Sequence, residues 1–252
     1  MIAIIRRLFR AILVRTFPSK MGYAIRPIGQ AYFESKHVIK NAKAAGLSVG
    51  EFLEMSNVGK VGVRKDEIIL KLRDANVLTP CNSIVEIGAG TGMYLEKFVE
   101  ICKPDKYEVY ETSLGWVKYL GEKYSSVIPF FILHKADGYS LHTTQSKSTD
   151  IIAAHGVFVY LPVVITISYL QEAARVCKVG GYIVFDCFTD RIFTLSEIIR
   201  FREINPEYDF PVVIKEEIIN EFCTQYHLEI STRFDVNYHL SKSTYFILRK
   251  IE

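Results

Sequence analysis

The spacing of polar and apolar positions changes at about residue 83, where short apolar runs begin to alternate with longer amphipathic stretches. The run SIVEIG (83–88) has the length and composition of a buried strand, whereas GMYLEKFVEIC (92–102) repeats its apolar residues as a helix does. The same pattern predicts further strands at 107–111, 130–137, 150–156 and 182–188, with helices at 115–124 and 162–178. This alternation is typical of parallel βαβ units, so we expect an α/β fold with a doubly wound sheet.

The C-terminal part of the chain follows another pattern. Two helices are predicted at 194–203 and 215–226, and two strands follow as LEISTRFDVN (228–237) and STYFILRKI (243–251). A short polar loop joins these strands, which is typical of an antiparallel hairpin at the edge of a sheet. The predicted sheet is therefore mostly parallel, has seven strands, and ends in a C-terminal antiparallel hairpin.

The N-terminal part is predicted to be helical. Residues 30–58 carry a helical pattern that includes a capping box from Ser48 to Glu51, and 65–78 is a further helix. Residues 1–17 place arginines and apolar residues on opposite sides of a helical wheel. This helix either docks on the protein or a partner subunit, or makes a peripheral contact with an anionic membrane surface.

These patterns divide the chain into three parts. We expect a basic amphipathic helix over 1–18, a helical extension over 19–63 and the main domain over 64–252. Within the main domain, residues 189–214 form an insertion that we expect to close over the binding site. The length of 252 residues suits one large α/β domain with such an appendage.

The net charge and the cysteines limit the classes of function and the cellular location that we expect. A net charge of +3 is too weak to indicate nucleic acid binding. The five cysteines include no CxxC pair, which favours reduced thiols in a cytoplasmic protein, without a disulfide framework or a zinc site. No apolar run near the start is long enough to span a bilayer, and arginines interrupt any secretory signal.

Glycines at 88, 90 and 92 follow the first strand of the sheet and open a helix. Glycine accepts a positive φ and lets a ligand approach the backbone, and the helix N-terminus exposes unpaired N–H groups. The dinucleotide pattern G-x-G-x-x-G fails here because Met93 or Leu95 stands where its third glycine should be. No Gly-Lys pair of a phosphate loop follows the strand either. Glu86, just before the glycines, suits a cationic ligand better than a diphosphate.

The pattern E-x-G-x-G-x-G resembles motif I of the class I S-adenosylmethionine-dependent methyltransferases, which have a Rossmann-like fold. The resemblance covers about residues 65–190 and implies S-adenosyl-L-methionine as cofactor, with S-adenosyl-L-homocysteine as product. It implies that Glu111 binds the ribose hydroxyls, and that Asp137 and Gly138 receive the adenine. The cofactor-binding residues implied by the resemblance are Glu86, Gly88, Ala89, Gly90, Gly92, Glu111, Asp137, Gly138 and His155.

The stretch AAHGVFVYLP (153–162) covers the end of the fourth strand and the loop after it, where acceptor groups of this fold lie. His155 is the candidate general base toward an alcohol, because a neutral imidazole can take a proton. Tyr160 and Asp186 are candidates for the acceptor pocket. The Asn/Asp-Pro-Pro-Tyr/Phe motif of nitrogen-directed family members is missing, since residues 155–160 read HGVFVY. We therefore expect O-methylation of a small molecule such as a sugar, a glycolipid or a secondary metabolite. A metal-dependent site would need converging carboxylates or amides, which the sequence does not offer, so we expect no metal.

Two other functions remain open at this point. One is a non-catalytic, methyltransferase-like partner subunit, and the other is an aminopropyl transferase on the same fold. The latter requires an acidic diamine pocket, and acids are sparse over 153–162. A small-molecule acceptor is the expected partner, without nucleic acid, and a homodimer is compatible with the sequence. The expected location is cytoplasmic, with peripheral membrane contact through residues 1–17.

Overall fold

A computed structural model describes residues 23–25, 31–33, 35–57, 65–204, 212–238 and 241–252. The predicted helix over 1–17 and part of the 189–214 insertion lie outside these residues. The described chain divides into two units, residues 1–56 and residues 57–252.

The first unit contains a small antiparallel sheet and two helices. Strand β1 (Tyr23–Ile25) pairs with β2 (Ala31–Phe33), and helices α1 (Ser35–Ala44) and α2 (Val49–Asn57) follow. The prediction that 30–58 is helical throughout was therefore wrong for 31–33, because pairing with β1 outweighs the local pattern. The capping box is confirmed: the Ser48 N–H donates to Glu51 Oε2 at 2.8 Å, and the Glu51 N–H donates to Ser48 Oγ at 3.2 Å.

The second unit carries the large sheet and its helices. In chain order it contains α3 (Lys65–Asp74), β3 (Ser83–Ile87), α4 (Met93–Cys102), β4 (Lys106–Glu111), α5 (Leu114–Tyr124), β5 (Phe130–Lys135), β6 (Thr149–Ala154), α6 (Val163–Val176), β7 (Cys177–Thr189), α7 (Leu195–Ile204), β8 (Val213–Ile214), α8 (Glu216–Gln225), β9 (Leu228–Tyr238) and β10 (Ser241–Lys250).

The strands lie in the order β5-β4-β3-β6-β7-β10-β9, and the short β8 pairs with β7. Strands β3 to β7 run parallel to one another, whereas β10 pairs antiparallel with both β7 and β9. The prediction of a mostly parallel, doubly wound sheet with a C-terminal hairpin is therefore confirmed. Strand β8 was not predicted, and β7 begins at Cys177, several residues earlier than expected.

Apolar side chains cover both faces of this sheet. Along β3, Ile84 joins one buried cluster with α3, α4 and α5, whereas Val85 and Ile87 join the other with α6 and α8. Burial on both faces explains why the parallel strands read as nearly continuous apolar runs. The chain passes from β3 to β4 on one side and returns to β6 on the other, so a crevice for a ligand opens beyond their carboxyl ends.

Two further expectations concern the protein's environment. All five cysteines are free thiols, as predicted. Within the described ranges, no helix is both long and apolar enough to cross a bilayer.

Candidate cofactor and acceptor site

The three glycines after β3 all adopt the left-handed conformation. Their φ values are 69° at Gly88, 53° at Gly90 and 76° at Gly92. The Gly88 N–H donates to the Tyr110 carbonyl of β4 at 2.8 Å, and the Gly92 N–H donates to the Ala89 carbonyl at 2.9 Å. The loop is thus a tight turn that leads from β3 into the N-terminus of α4, where Gly92 is the N-cap without a side-chain cap.

The glycines are needed for different reasons. A Cβ at Gly88 would lie 2.8 Å from Val157 Cγ2, and one at Gly92 would lie 2.7 Å from Tyr124 Cε2. Packing inside the protein therefore requires both of these glycines. A Cβ at Gly90 would meet nothing closer than the Gly88 carbonyl oxygen at 4.0 Å. Gly90 presents bare backbone to open space, which is the arrangement that a ligand lying against the loop requires.

Glu111 at the end of β4 lies directly against this loop. Its Oε2 accepts the Gly90 N–H at 3.1 Å and its Oε1 accepts the Ser113 N–H at 2.8 Å. The side chain is therefore fixed in orientation beside the open backbone of Gly90. This position agrees with the predicted contact to ribose hydroxyls, which itself stays a prediction.

Glu86 lies beneath the loop rather than at its open surface. The residue is 2% exposed, and the Tyr107 hydroxyl of β4 donates to its Oε2 at 2.8 Å. Burial raises the pKa of Glu86 to about 7, with the charge of Glu111 adding to this and the Tyr107 hydrogen bond opposing it. Glu86 is therefore partly protonated near neutral pH, unlike the ordinary carboxylate that its sequence position suggests.

Asp137 follows β5 and organises the turn that contains Gly138. Its Oδ1 accepts the N–H groups of Tyr139 and Ser140 at 2.9 and 2.8 Å, and its Oδ2 accepts the Ser140 hydroxyl. Although burial opposes it, these hydrogen bonds hold the pKa of Asp137 below its ordinary value. Gly138 has a φ of 98°, so the turn needs glycine there. The structure thus shows a preformed turn, and its predicted contact with adenine stays a prediction.

His155 follows the last residue of β6 and is enclosed by aromatic rings. It stacks on Tyr94 of α4 with 3.9 Å between ring centroids, and Phe98 meets it edge-on at 5.5 Å. Its Nδ1 lies 3.3 Å from the Tyr245 hydroxyl of β10. Burial lowers the pKa of His155 to about 3, so the imidazole is neutral at physiological pH. Its Nε2 is buried and has no hydrogen-bond partner among the described residues.

Asp186 lies on β7 beside His155. The Gly156 N–H donates to its Oδ1 at 2.7 Å, whereas its Oδ2 is buried without a partner among the described residues. Burial raises the pKa of Asp186 to about 6. Tyr160 is half-buried in the turn after His155, where its N–H donates to the Val157 carbonyl at 3.1 Å. Its place in an acceptor pocket stays a prediction.

Sequence reasoning missed several residues that complete this site. Tyr107 holds Glu86, Tyr94 covers His155, and Tyr245 and Ser243 reach the same region from the C-terminal hairpin. Tyr94 could have been found, because it lies in the first turn of the helix that the glycine loop opens. Tyr107 and the hairpin residues could not, because only the strand order brings them to the loop. In the described part of the chain, no group of three or more potential ligands is placed to hold a metal ion.

Comparisons with known proteins agree with this geometry. Residues 85–185 match the family described as "Methyltransferase domain". A search of curated proteins found no significant match to the sequence.

Similar solved structures include an S-adenosylmethionine-dependent methyltransferase from Aquifex aeolicus, with 15% identity and a TM-score of 0.54 over 86% of this chain and 99% of that one. Magnesium protoporphyrin IX methyltransferase from Synechocystis, crystallised with S-adenosylhomocysteine, has 12% identity and a TM-score of 0.55 over 74% and 81% of the two chains. Geranyl diphosphate C-methyltransferase from Streptomyces coelicolor has 11% identity and a TM-score of 0.58 over 74% and 76%. These likenesses establish the fold, whose members act on varied acceptors.

Proposed function

We propose that this chain, which is an S-adenosylmethionine-dependent methyltransferase of class I, methylates an oxygen atom of a small molecule such as a sugar, a glycolipid or a secondary metabolite. The observation that carries the cofactor assignment is the bare backbone of Gly90. It faces open space at the switch point of the sheet while Glu111 accepts its N–H. A nucleoside-amino acid can lie against this loop, because two adjacent groups, the open backbone and a fixed carboxylate, are ready to receive it.

The residues present fit this cofactor. In this proposal the loop around Gly90 and the N-terminus of α4 would hold its amino-acid part, and Glu111 would accept hydrogen bonds from the ribose hydroxyls. The turn of Asp137 and Gly138 would hold the adenine. The cofactor supplies a methyl group on a sulfonium, which is already activated, so the protein's task is to position the acceptor and remove its proton.

Two observations favour an oxygen acceptor. The segment after β6 reads HGVFVY (155–160), without the motif that holds a planar amino group in nitrogen-directed family members. The same region contains the neutral imidazole of His155 and the carboxyl group of Asp186, both of which accept hydrogen bonds from a hydroxyl.

The structure weighs against His155 as the general base. A base works best when its pKa lies near the operating pH. Burial lowers the pKa of His155 to about 3, far from that range. The imidazole is better suited to packing against the acceptor and exchanging a hydrogen bond with it, which leaves the removal of the proton to another group.

Calorimetric titration of the purified protein with S-adenosylmethionine and S-adenosylhomocysteine tests the cofactor assignment, with NADH as the control. We expect both sulfur compounds to bind and NADH not to bind. If neither sulfur compound binds, the proposal fails. If they bind but no acceptor is ever methylated, a non-catalytic partner subunit becomes the better explanation.

A further inference from the structure

Three buried side-chain atoms of this protein have no hydrogen-bond partner among the described residues. They are His155 Nε2, Asp186 Oδ2 and Ser243 Oγ. Most buried polar atoms in proteins are satisfied, because an unmade hydrogen bond costs about 1–3 kcal/mol. Three unsatisfied atoms in one region therefore require an explanation.

The sheet brings these atoms to one face. Asp186 is paired with Tyr245 in the antiparallel β7–β10 ladder, and Ser243 lies two residues before Tyr245, so the three side chains point the same way. His155 meets Tyr245 from β6, as described above. Ser243 is close enough to Asp186 to lower its pKa, although their atoms do not meet hydrogen-bond geometry. The three side chains thus lie on the same face of the sheet, although they lie on or directly after three different strands.

Aromatic rings pack around these side chains, next to the glycine loop. Tyr94, in the first turn of α4 after the glycine loop, stacks on His155. Tyr245 stacks on Phe234 of β9 with 5.2 Å between ring centroids, which holds Tyr245 in place. A group bound here therefore lies beside the predicted cofactor in surroundings that exclude water, where hydrogen bonds are stronger than in solvent.

We propose that Asp186, Ser243 and His155 bind a hydroxyl group of the acceptor, and that Asp186 Oδ2 receives its proton. The inference rests on the proposed methyl transfer to oxygen and deepens it. The Gly156 N–H holds Oδ1, so Oδ2 is the carboxylate oxygen left for the acceptor. During transfer the hydroxyl O–H bond breaks and its proton goes to Oδ2. The oxygen keeps the electron pair and bonds the methyl carbon, while the pair of the broken C–S bond stays on sulfur.

A hydroxyl group can satisfy two of these atoms at once. It donates to Asp186 Oδ2 and accepts from the Ser243 hydroxyl. Asp186 also has the more suitable proton affinity, since its pKa of about 6 lies nearer to neutral pH than that of His155.

The test measures S-adenosylhomocysteine formation from S-adenosylmethionine with matched alcohols and amines. The pairs are glucose and glucosamine, cyclohexanol and cyclohexylamine, and phenol and aniline. We expect turnover with hydroxyl compounds, and a loss in kcat of about 10²- to 10⁴-fold in Asp186→Asn. Ser243→Ala should raise KM for the acceptor about 2- to 10-fold. Transfer to the amines alone, or to none of the compounds by a protein that binds S-adenosylhomocysteine, would overturn the inference.

The pH profile separates Asp186 from its neighbours. The titratable groups around it are His155 on β6, Tyr94 on α4, Tyr245 on β10 and Cys187 on β7. The wild-type rate should fall as pH drops through about 6, because Asp186 becomes protonated. His155→Gln, the matched variant, should keep this acid limb at a lower rate, whereas Asp186→Asn should lose it. If His155→Gln loses the acid limb and Asp186→Asn keeps it, His155 and not Asp186 accepts the proton.

A thermal measurement needs no acceptor. Ser243→Ala removes a buried hydroxyl whose oxygen meets hydrogen-bond geometry with no other described residue, so the thermal midpoint of the complex with S-adenosylhomocysteine should change little or rise. A marked drop would show that this hydroxyl serves the fold, which overturns its assignment to the acceptor. If the wild-type protein does not bind S-adenosylhomocysteine, this result contradicts the proposed function itself.

Discussion

Replacing Gly90 with alanine should separate ligand binding from stability. Gly90 has a φ of 53°, and a Cβ there meets no protein atom closer than 4.0 Å. The free energy of unfolding should therefore fall only by the cost of holding alanine in the left-handed conformation, about 1–2 kcal/mol. The new methyl group projects into the open space that we propose for the cofactor. Overpacking by a methyl group costs about 1–3 kcal/mol, which weakens binding about 5- to 150-fold.

Two other glycines provide the controls for this experiment. Gly180 has a φ of 81° and no atom within 4 Å of an added Cβ, so Gly180→Ala carries the same backbone cost far from the loop. Gly92→Ala adds a collision, since its Cβ would lie 2.7 Å from Tyr124 Cε2. We expect Gly180→Ala to match Gly90→Ala in stability but to bind normally, and Gly92→Ala to lose more stability than either.

The assay combines urea denaturation with calorimetric titration of S-adenosylhomocysteine for each variant. Urea unfolding followed by circular dichroism reports the free energy of unfolding, and the titration reports the dissociation constant. Wild-type affinity in Gly90→Ala would remove the loop from the cofactor site. Equal weakening in Gly180→Ala would show that the effect comes from backbone strain and not from the occupied space.

Three more predictions concern the residues around the loop. The pKa of Glu86 rises from 4.5 to about 7 on folding. Ionisation of Glu86 therefore lowers the free energy of unfolding as pH rises through this range. At about 1.4 kcal/mol per pKa unit, the total loss of stability is about 3 kcal/mol. Glu86→Gln should therefore gain about that much stability over wild type between about pH 4 and about pH 8 in urea denaturation, and parallel pH dependences would contradict the burial argument. Glu111→Gln should weaken S-adenosylhomocysteine binding about 10-fold or more in calorimetry, because hydrogen bonds to a charged group contribute about 1.5–3 kcal/mol; unchanged affinity would place the ribose elsewhere. Gly88→Ala should lower the thermal midpoint, because the new Cβ collides with Val157 Cγ2. Adding Val157→Ala in the same chain should recover part of this loss, whereas additive effects of the two substitutions would refute the collision.

Much of the architecture follows from the sequence because local patterns specify it. Strands such as SIVEIG (83–88) are apolar on both faces, and the helices between them repeat every three or four residues, so the βαβ order can be read directly. The glycine spacing and the acid at Glu111 follow from chain position alone, and the structure brings them together. Residues 31–33 escaped prediction because a distant segment pairs with them.

The sequence by itself determined the class of fold, the position of the glycine loop and the exclusion of dinucleotide and phosphate-loop patterns. Only the tertiary structure decided which glycine leaves open space beside its backbone, because Val157 and Tyr124 pack against the other two. It also decided the proton affinities of Glu86, His155 and Asp186, since burial depends on elements far away in the chain. Ser243 comes to the same face of the sheet as Asp186 only because β10 pairs with β7. Local periodicity cannot encode that pairing, which depends on contacts between strands distant in sequence.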